Sequence, residues 1–183
     1  MLVLASRSPQ RKAILEMLGV PFDAVPADVE ELTDGAPRDV VAENALRKAR
    51  EVVAARPGAL VLGVDTEVFL DHVVFGKAGD EEHARRHLQA LSGRTHEVFS
   101  GIALLSEGGE RTGVARTEVT FRDLSGGLLD WYLDTGEWRE RAGAYAIQGR
   151  GAALVERVEG DYWNVVGLPV PLLLSLAPEL LTG

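Results

Sequence analysis

Short apolar runs and capped, amphipathic segments alternate along all 183 residues of this chain. That interleaving restricts the fold to α/β or mixed α+β. Residues 2–5 form an apolar run of strand length. Ser8-Pro9 follows as an N-cap with proline at the first helical position; Ala13, Ile14, Met17 and Leu18 continue at helical spacing, and Gly19 ends the segment. Residues 20–36 read as loop or extended chain. Pro37 opens a second helix to about Ala55, stopped by Arg56-Pro57-Gly58. Residues 60–63 predict a strand with Asp65-Thr66 at its end, and 67–70 and 73–75 predict strands around an Asp71-His72 turn. Asp80 caps a helix to Leu91. Residues 96–105 and 113–121 alternate as a hairpin around 107–110. Ser125 caps a helix to Leu133, and glycine-rich loops, a strand at 153–158 and a helix after Pro169 complete the chain. With both crossovers and hairpins, no repeat and no linker, a single domain over residues 1–183 is expected.

Composition bears on which functions are open. Hydrophobic residues make up 46% and charged residues 26%, enough for a core that removes roughly 70% of the unfolded surface from water. No cysteine is present, which excludes disulfide frameworks, thiolate metal sites and a cysteine nucleophile, and fits a reducing cytoplasm. The 19 basic residues against 28 acidic ones give a net charge of −9, which argues against a broad nucleic-acid-binding face. A small anionic substrate stays open, because a local cluster of cations serves it. The start, MLVLASRSPQR, lacks the pattern of a secretory signal. The longest apolar stretch, residues 165–177, carries two prolines and is too short to span a bilayer, so no membrane partner is expected. Among the basic residues only Lys12, Lys48 and Lys77 are lysines, which singles out positions suited to a compact ammonium.

Four segments carry chemistry. Ser6-Arg7-Ser8-Pro9-Gln10-Arg11-Lys12 lies at a strand-to-helix junction, where free amides, the Ser6 and Ser8 hydroxyls and nearby cations make a phosphate site. The same residues also fit a plain capped helix with its basic groups in water. Asp65, at the end of an apolar strand, sits where α/β folds place ligands, suited to binding a divalent cation or accepting a proton from water. A strand-end aspartate that bonds its own loop amides reads the same way. Lys48, in ENALRKA, and Lys77, 12 residues after Asp65, are candidate phosphate cations that also suit an ordinary surface. Residues 142–151 are glycine-punctuated around Gln148, whose amide can donate to and accept from a base edge, or simply connect strands tightly. His83 and His87 have metal-ligand spacing on a helix, but the surrounding charges read as a solvated face. Trp131, Trp138 and Trp163 read as packing residues.

In order, LASRSPQR, VEE, ENALRKA, LGVDT, FGKA, LSGRTHEVFSG, TEVTF, AGAYAIQGRG and EGDYWNVVGLP cover nearly the whole chain. Together they resemble the Maf (septum formation protein) family of nucleoside triphosphate pyrophosphatases. The resemblance implies an elongated, mixed, twisted sheet with flanking helices and a cleft between two lobes, like the inosine triphosphate pyrophosphatase-like fold. It implies hydrolysis of a nucleoside triphosphate to the monophosphate and pyrophosphate, a divalent cation (Mg²⁺ or Mn²⁺), a homodimer, and house-cleaning of nucleotide pools. Asp65 matches the catalytic proton acceptor, and Glu31 with Asp65 the metal-holding acids. Ser6, Arg11, Lys48 and Lys77 match positions around the triphosphate, with Ser8 beside them. Thr66 and Gln148 match positions of base selectivity, in the form of the dTTP/UTP branch. Two positions depart from the family pattern. Gln10 replaces an arginine linked with substrate choice, which leaves the base open, and Ala78 replaces a proline while Lys77 is kept. Two rival readings stand beside this one: a nucleotide-binding regulator of cell division, and a pyrophosphatase for non-canonical purines.

Overall fold

A computed structural model describes residues 1–182 and shows a seven-stranded mixed sheet with seven helices. The strands are β1 (Leu2–Leu4), β2 (Phe22–Ala24), β3 (Leu60–Leu70), β4 (Val73–Val74), β5 (Thr95–Ser106), β6 (Gly109–Phe121) and β7 (Val155–Glu159). They run in the order β2-β1-β3-β5-β6-β7, with β4 paired on β3. β1 is parallel to both β2 and β3, whereas β4 and β7 are antiparallel to β3 and β6. The helices are α1 (Pro9–Met17), α2 (Pro37–Ala55), α3 (Glu81–Leu91), α4 (Gly126–Asp134), α5 (Tyr162–Val166), α6 (Val170–Leu176) and α7 (Glu179–Thr182). Among the described residues no helix is long and apolar enough to cross a membrane.

The chain forms two compact units. The first holds Met1–Thr66, Ser100–Ala115 and the chain from Gly167 onward; the second holds Glu67–Phe99 and Arg116–Val166. In the first unit, Ala45, Ala49 and Val52 of α2 pack on Val3, Ala5, Val61, Ala103 and Leu105 of the sheet. Two glycines let the helix lie close. A Cβ on Gly63 would stand 2.9 Å from the Cβ of Ala49, and one on Gly101 would stand 2.9 Å from the amide of Ala42. Real Cβ atoms do not approach that near, so α2 rests directly on the backbone of β3 and β5. In the second unit, Leu88 and Leu91 of α3 and Tyr132 and Leu133 of α4 close a core with Phe121, Trp138, Tyr145 and Leu154. Asp80 and Ser125 cap α3 and α4 as their sequences predict, accepting from the amides of His83 (2.7 Å) and Leu128 (3.3 Å).

Several expectations are corrected. Residues 60–63 and 67–70 are one strand rather than two, so Asp65 and Thr66 lie inside β3, not at a strand end. The strand runs on through them from Leu60 to Leu70, and polar partners satisfy the buried Asp65. Within residues 20–36, expected as loop or extended chain, residues 22–24 take the extended form and pair as the edge strand β2, a pairing the sequence did not signal. Trp131 is 45% exposed rather than packed. On α1, Met17 is exposed, and Arg11 joins Ile14 and Leu15 on the buried face. His83 and His87 are half-buried with ring centroids 4.4 Å apart, and His87 packs 5.0 Å from Phe75, so they do not form a solvated face.

Candidate active site

The candidate residues of the first unit gather into two linked groups around β3. Strand alternation puts Gly63 and Asp65 on the face that α2 covers. Because Gly63 lets α2 approach, Asn44 and Lys48, four residues apart on one helix face, arrive over Asp65. Lys48 Nζ lies 2.6 Å from Asp65 Oδ1, and Asn44 Nδ2 donates to Asp65 Oδ2 at 3.1 Å. Lys48 Nζ also lies 2.6 Å from Glu31 Oε1. Asp65 is 3% exposed and Asn44 fully buried. A carboxylate so deeply placed costs several kcal/mol to desolvate unless a cation and hydrogen bonds meet it, and both do here.

Asn44 has a second task. It accepts from the amide of Leu32 at 2.7 Å and donates to that residue's carbonyl at 3.0 Å. One side chain thereby ties the loop that carries Glu31 to the carboxylate of Asp65.

The second group begins one residue further along β3. Arg11, at 9% exposure, donates through Nη2 to Thr66 Oγ1 (3.2 Å), through Nη1 to Ser6 Oγ (3.0 Å) and through Nε to the carbonyl of Gly167 (2.9 Å). Thr66 Oγ1 is 2.7 Å from Ser100 Oγ. Ser8 caps α1 through the amide of Arg11, its own amide bonds Ser6 Oγ, and its hydroxyl donates to Gln10 Oε1 at 3.1 Å. A buried guanidinium and four hydroxyls thus gather at one strand-to-helix junction, side-chain chemistry that suits a phosphate.

Glu31 and Asp65 bring carboxylate oxygens within 4.8 Å of each other, with the Lys48 ammonium against both. Two hard oxygen donors that already share one cation fit Mg²⁺ or Mn²⁺. Glu67, two residues beyond Asp65 on β3, follows on the same face of that strand.

Lys77 and Gln148 belong to the second unit. Lys77 is 64% exposed and paired with Glu140 at 2.9 Å. Glu140 is held below the usual carboxylate range by its hydrogen bond to that ammonium. Gln148 is exposed at the tip of a turn closed by the amide of Gly149 donating to the carbonyl of Ala146 at 3.1 Å. Nearby, His96 is 1% exposed, with Nε2 2.9 Å from the Tyr145 hydroxyl, and burial lowers its pKa to about 4. Sequence reasoning missed Asn44, Ser100 and Gly167 as site residues. The helical spacing of Asn44 to Lys48 in ENALRKA carried a readable signal, whereas Ser100 and Gly167 act through neighbours distant in sequence.

The sheet and these side chains define a class: a mixed α/β protein with a buried carboxylate–ammonium centre beside a helix start that carries a buried arginine and hydroxyls. The chain matches the family described as Maf-like protein over residues 1–180 and belongs to it. Among its relatives, proteins named dTTP/UTP pyrophosphatase are similar from end to end. That of Bacillus cytotoxicus is 46% identical over 99% of this chain and 96% of its own length. That of Thermococcus onnurineus is 48% identical over 96% of each chain. That of Symbiobacterium thermophilum is 44% identical over all of this chain and 97% of its own.

Proposed function

We propose that this protein is a hydrolase that cleaves a nucleoside triphosphate, with dTTP and UTP as preferred substrates, to the monophosphate and pyrophosphate. The observation that carries the reading is Asp65, a buried carboxylate fixed by Lys48 and Asn44, one residue from the Thr66 that Arg11 grips. Its relatives' names support the substrate class.

In this reaction water attacks the α-phosphorus, the new P–O bond forms as the bond to the α–β bridging oxygen breaks, and pyrophosphate leaves. Asp65 accepts the proton of the attacking water, and Lys48 and Asn44 hold its carboxylate in place for that transfer. Arg11, with Ser6, Ser8 and the amides of the α1 start, binds phosphate oxygens and offsets the charge that develops on the leaving group. An acidic protein requires such a local cluster to overcome its repulsion of the substrate. Glu31 and Asp65 would hold a divalent cation, which when bound supplies Lewis-acid neutralisation of phosphate charge. Lys77 acts as a further phosphate cation, and Thr66, Gln148 and Gln10 set base preference. A cytoplasmic homodimer that clears nucleotide pools completes the reading.

The test is pyrophosphate release, read against orthophosphate, from dTTP, UTP, CTP, GTP and ITP with Mg²⁺ or Mn²⁺. Asp65→Asn is expected to lower turnover on the order of 10²–10⁴-fold while the protein stays folded. Full turnover in that variant, or orthophosphate as first product, overturns the assignment, and preference for ITP favours the non-canonical purine reading.

A further inference from the structure

We infer that Glu137 is a positioning residue for base selection, acting through the turn that presents Gln148; this rests on the base-reading role proposed for Gln148. The turn is short and held at both ends. On its near side, the amide of Ala146 donates to the Tyr132 hydroxyl at 3.0 Å, deep in the core of the second unit. On its far side, the two carboxylate oxygens of Glu137 divide between consecutive amides. Oε1 accepts from Arg150 at 3.0 Å and Oε2 from Gly151 at 3.2 Å.

Those two amides open the 3₁₀ turn Arg150–Leu154, whose capping residue, Gly149, has no side chain to satisfy them. Glu137 supplies the missing cap from 13 residues upstream. Only Ile147, Gln148 and Gly149 lie between the two fixed points, so the orientation of the Gln148 backbone follows from them. The fit leaves no slack. A Cβ on Gly149 would stand 2.6–2.8 Å from the Glu137 carboxylate, and one on Gly151 would stand 2.9 Å from the amide of Ala146.

Glu137 is itself fixed. Its amide donates to Thr135 Oγ1 at 3.1 Å, and the next residue, Trp138, is 4% exposed with its indole N–H on the carbonyl of Leu133 at 3.2 Å. The segment also carries Gly136, Glu140, Gly143 and Ala144 at positive φ. Two of these are not glycine, a conformation that persists only where surrounding contacts over-determine the backbone. Mobility here would let an exposed glutamine sample many poses, and a hydrogen-bonding site discriminates bases only when its donor and acceptor are held in place.

The experiment is the ratio of kcat/KM for UTP to that for GTP, measured in wild type, E137Q, Q148A and the double variant. E137Q keeps the side-chain volume but sets an NH₂ group against one of the two amides. A residue that only supports the fold would lower both rates together and leave the ratio unchanged. The expected result is a fall in the ratio of about tenfold in E137Q, through KM for UTP more than kcat, with no further fall when E137Q is added to Q148A. A ratio unchanged in E137Q while Q148A collapses it overturns the role of Glu137 alone, as does an equal loss from E137Q in the Q148A background. A ratio unchanged in Q148A removes base reading from Gln148 and this role with it, while pyrophosphate release by wild type leaves the hydrolase reading standing.

Discussion

At the scale of single residues, the site is a problem in cation placement. Lys48 Nζ lies 2.6 Å from both Asp65 and Glu31, in the position a cation shared by these carboxylates would take. Lys48→Met removes that charge and leaves a buried aspartate held by Asn44 beside the Glu31 carboxylate. The expected loss of stability is about 3–5 kcal/mol, the cost of stranding one member of a buried pair, read from the urea midpoint. Adding Mn²⁺ should raise the midpoint of Lys48→Met more than that of wild type, because the two carboxylates then have no competing ammonium and binding stabilises the folded state by mass action. Equal stabilisation of both proteins would mean that metal and ammonium do not share a seat.

At the scale of elements, backbone proximity positions the chemistry. Helix α2 reaches β3 and β5 only because Gly63 and Gly101 have no Cβ, and its Ala45 and Ala49 add little bulk. Gly101→Ala would press a methyl group against the backbone of Val41 and Ala42. Overpacking of that kind costs about 1–3 kcal/mol, and it lifts the helix that carries Asn44 and Lys48 off Asp65. Turnover should therefore fall at a temperature where circular dichroism still reports a fully folded protein; unchanged pyrophosphate release there would show that the helix can shift without cost to the site. This dependence explains what could be read from the sequence. The capped starts of α1, α3 and α4 and the proline start of α2 are local signals and were legible, as was the alternation of strands and helices. The unbroken β3 was not, because Asp65-Thr66-Glu67 resembles a strand end until Asn44, Lys48 and Arg11 arrive from elsewhere in the chain. Edge strand β2 was hidden for a similar reason: Phe22–Ala24 has too little apolar alternation to signal pairing, and its register comes from β1. In the site, ionisable candidates stood out by type, whereas the work of Asn44, Ser100 and Gly167 emerged only from contacts across 12 to 156 residues of sequence.

At the scale of the whole molecule, titration falls unevenly on the two units. All four histidines, His72, His83, His87 and His96, lie within Glu67–Phe99 of the second unit. His96 is the most enclosed, and burial holds its folded-state pKa at about 4 against an ordinary value of 6.5. The unfolded chain therefore binds a proton on this residue at a higher pH than the folded protein does. Stability from a neutral His96 is fully present above about pH 6.5 and declines as pH falls toward 4, by on the order of 3 kcal/mol. Asp161 acts in the opposite sense at lower pH: burial raises its pKa, so its folded form keeps a proton that the unfolded chain releases. His96→Gln should reduce the dependence of the urea midpoint between pH 7 and 5, leaving the part that His87 contributes, and a slope equal to wild type would assign it to other groups. Because His87, whose pKa burial also lowers to about 4, and His96 both sit in one unit, hydrogen exchange corrected for its intrinsic pH dependence should lose protection first around Leu88, Phe121 and Tyr132 as pH falls. The first unit, which holds no histidine, should keep its protection over the same interval, and loss of protection in both units at the same pH would assign the acid response to groups other than these histidines.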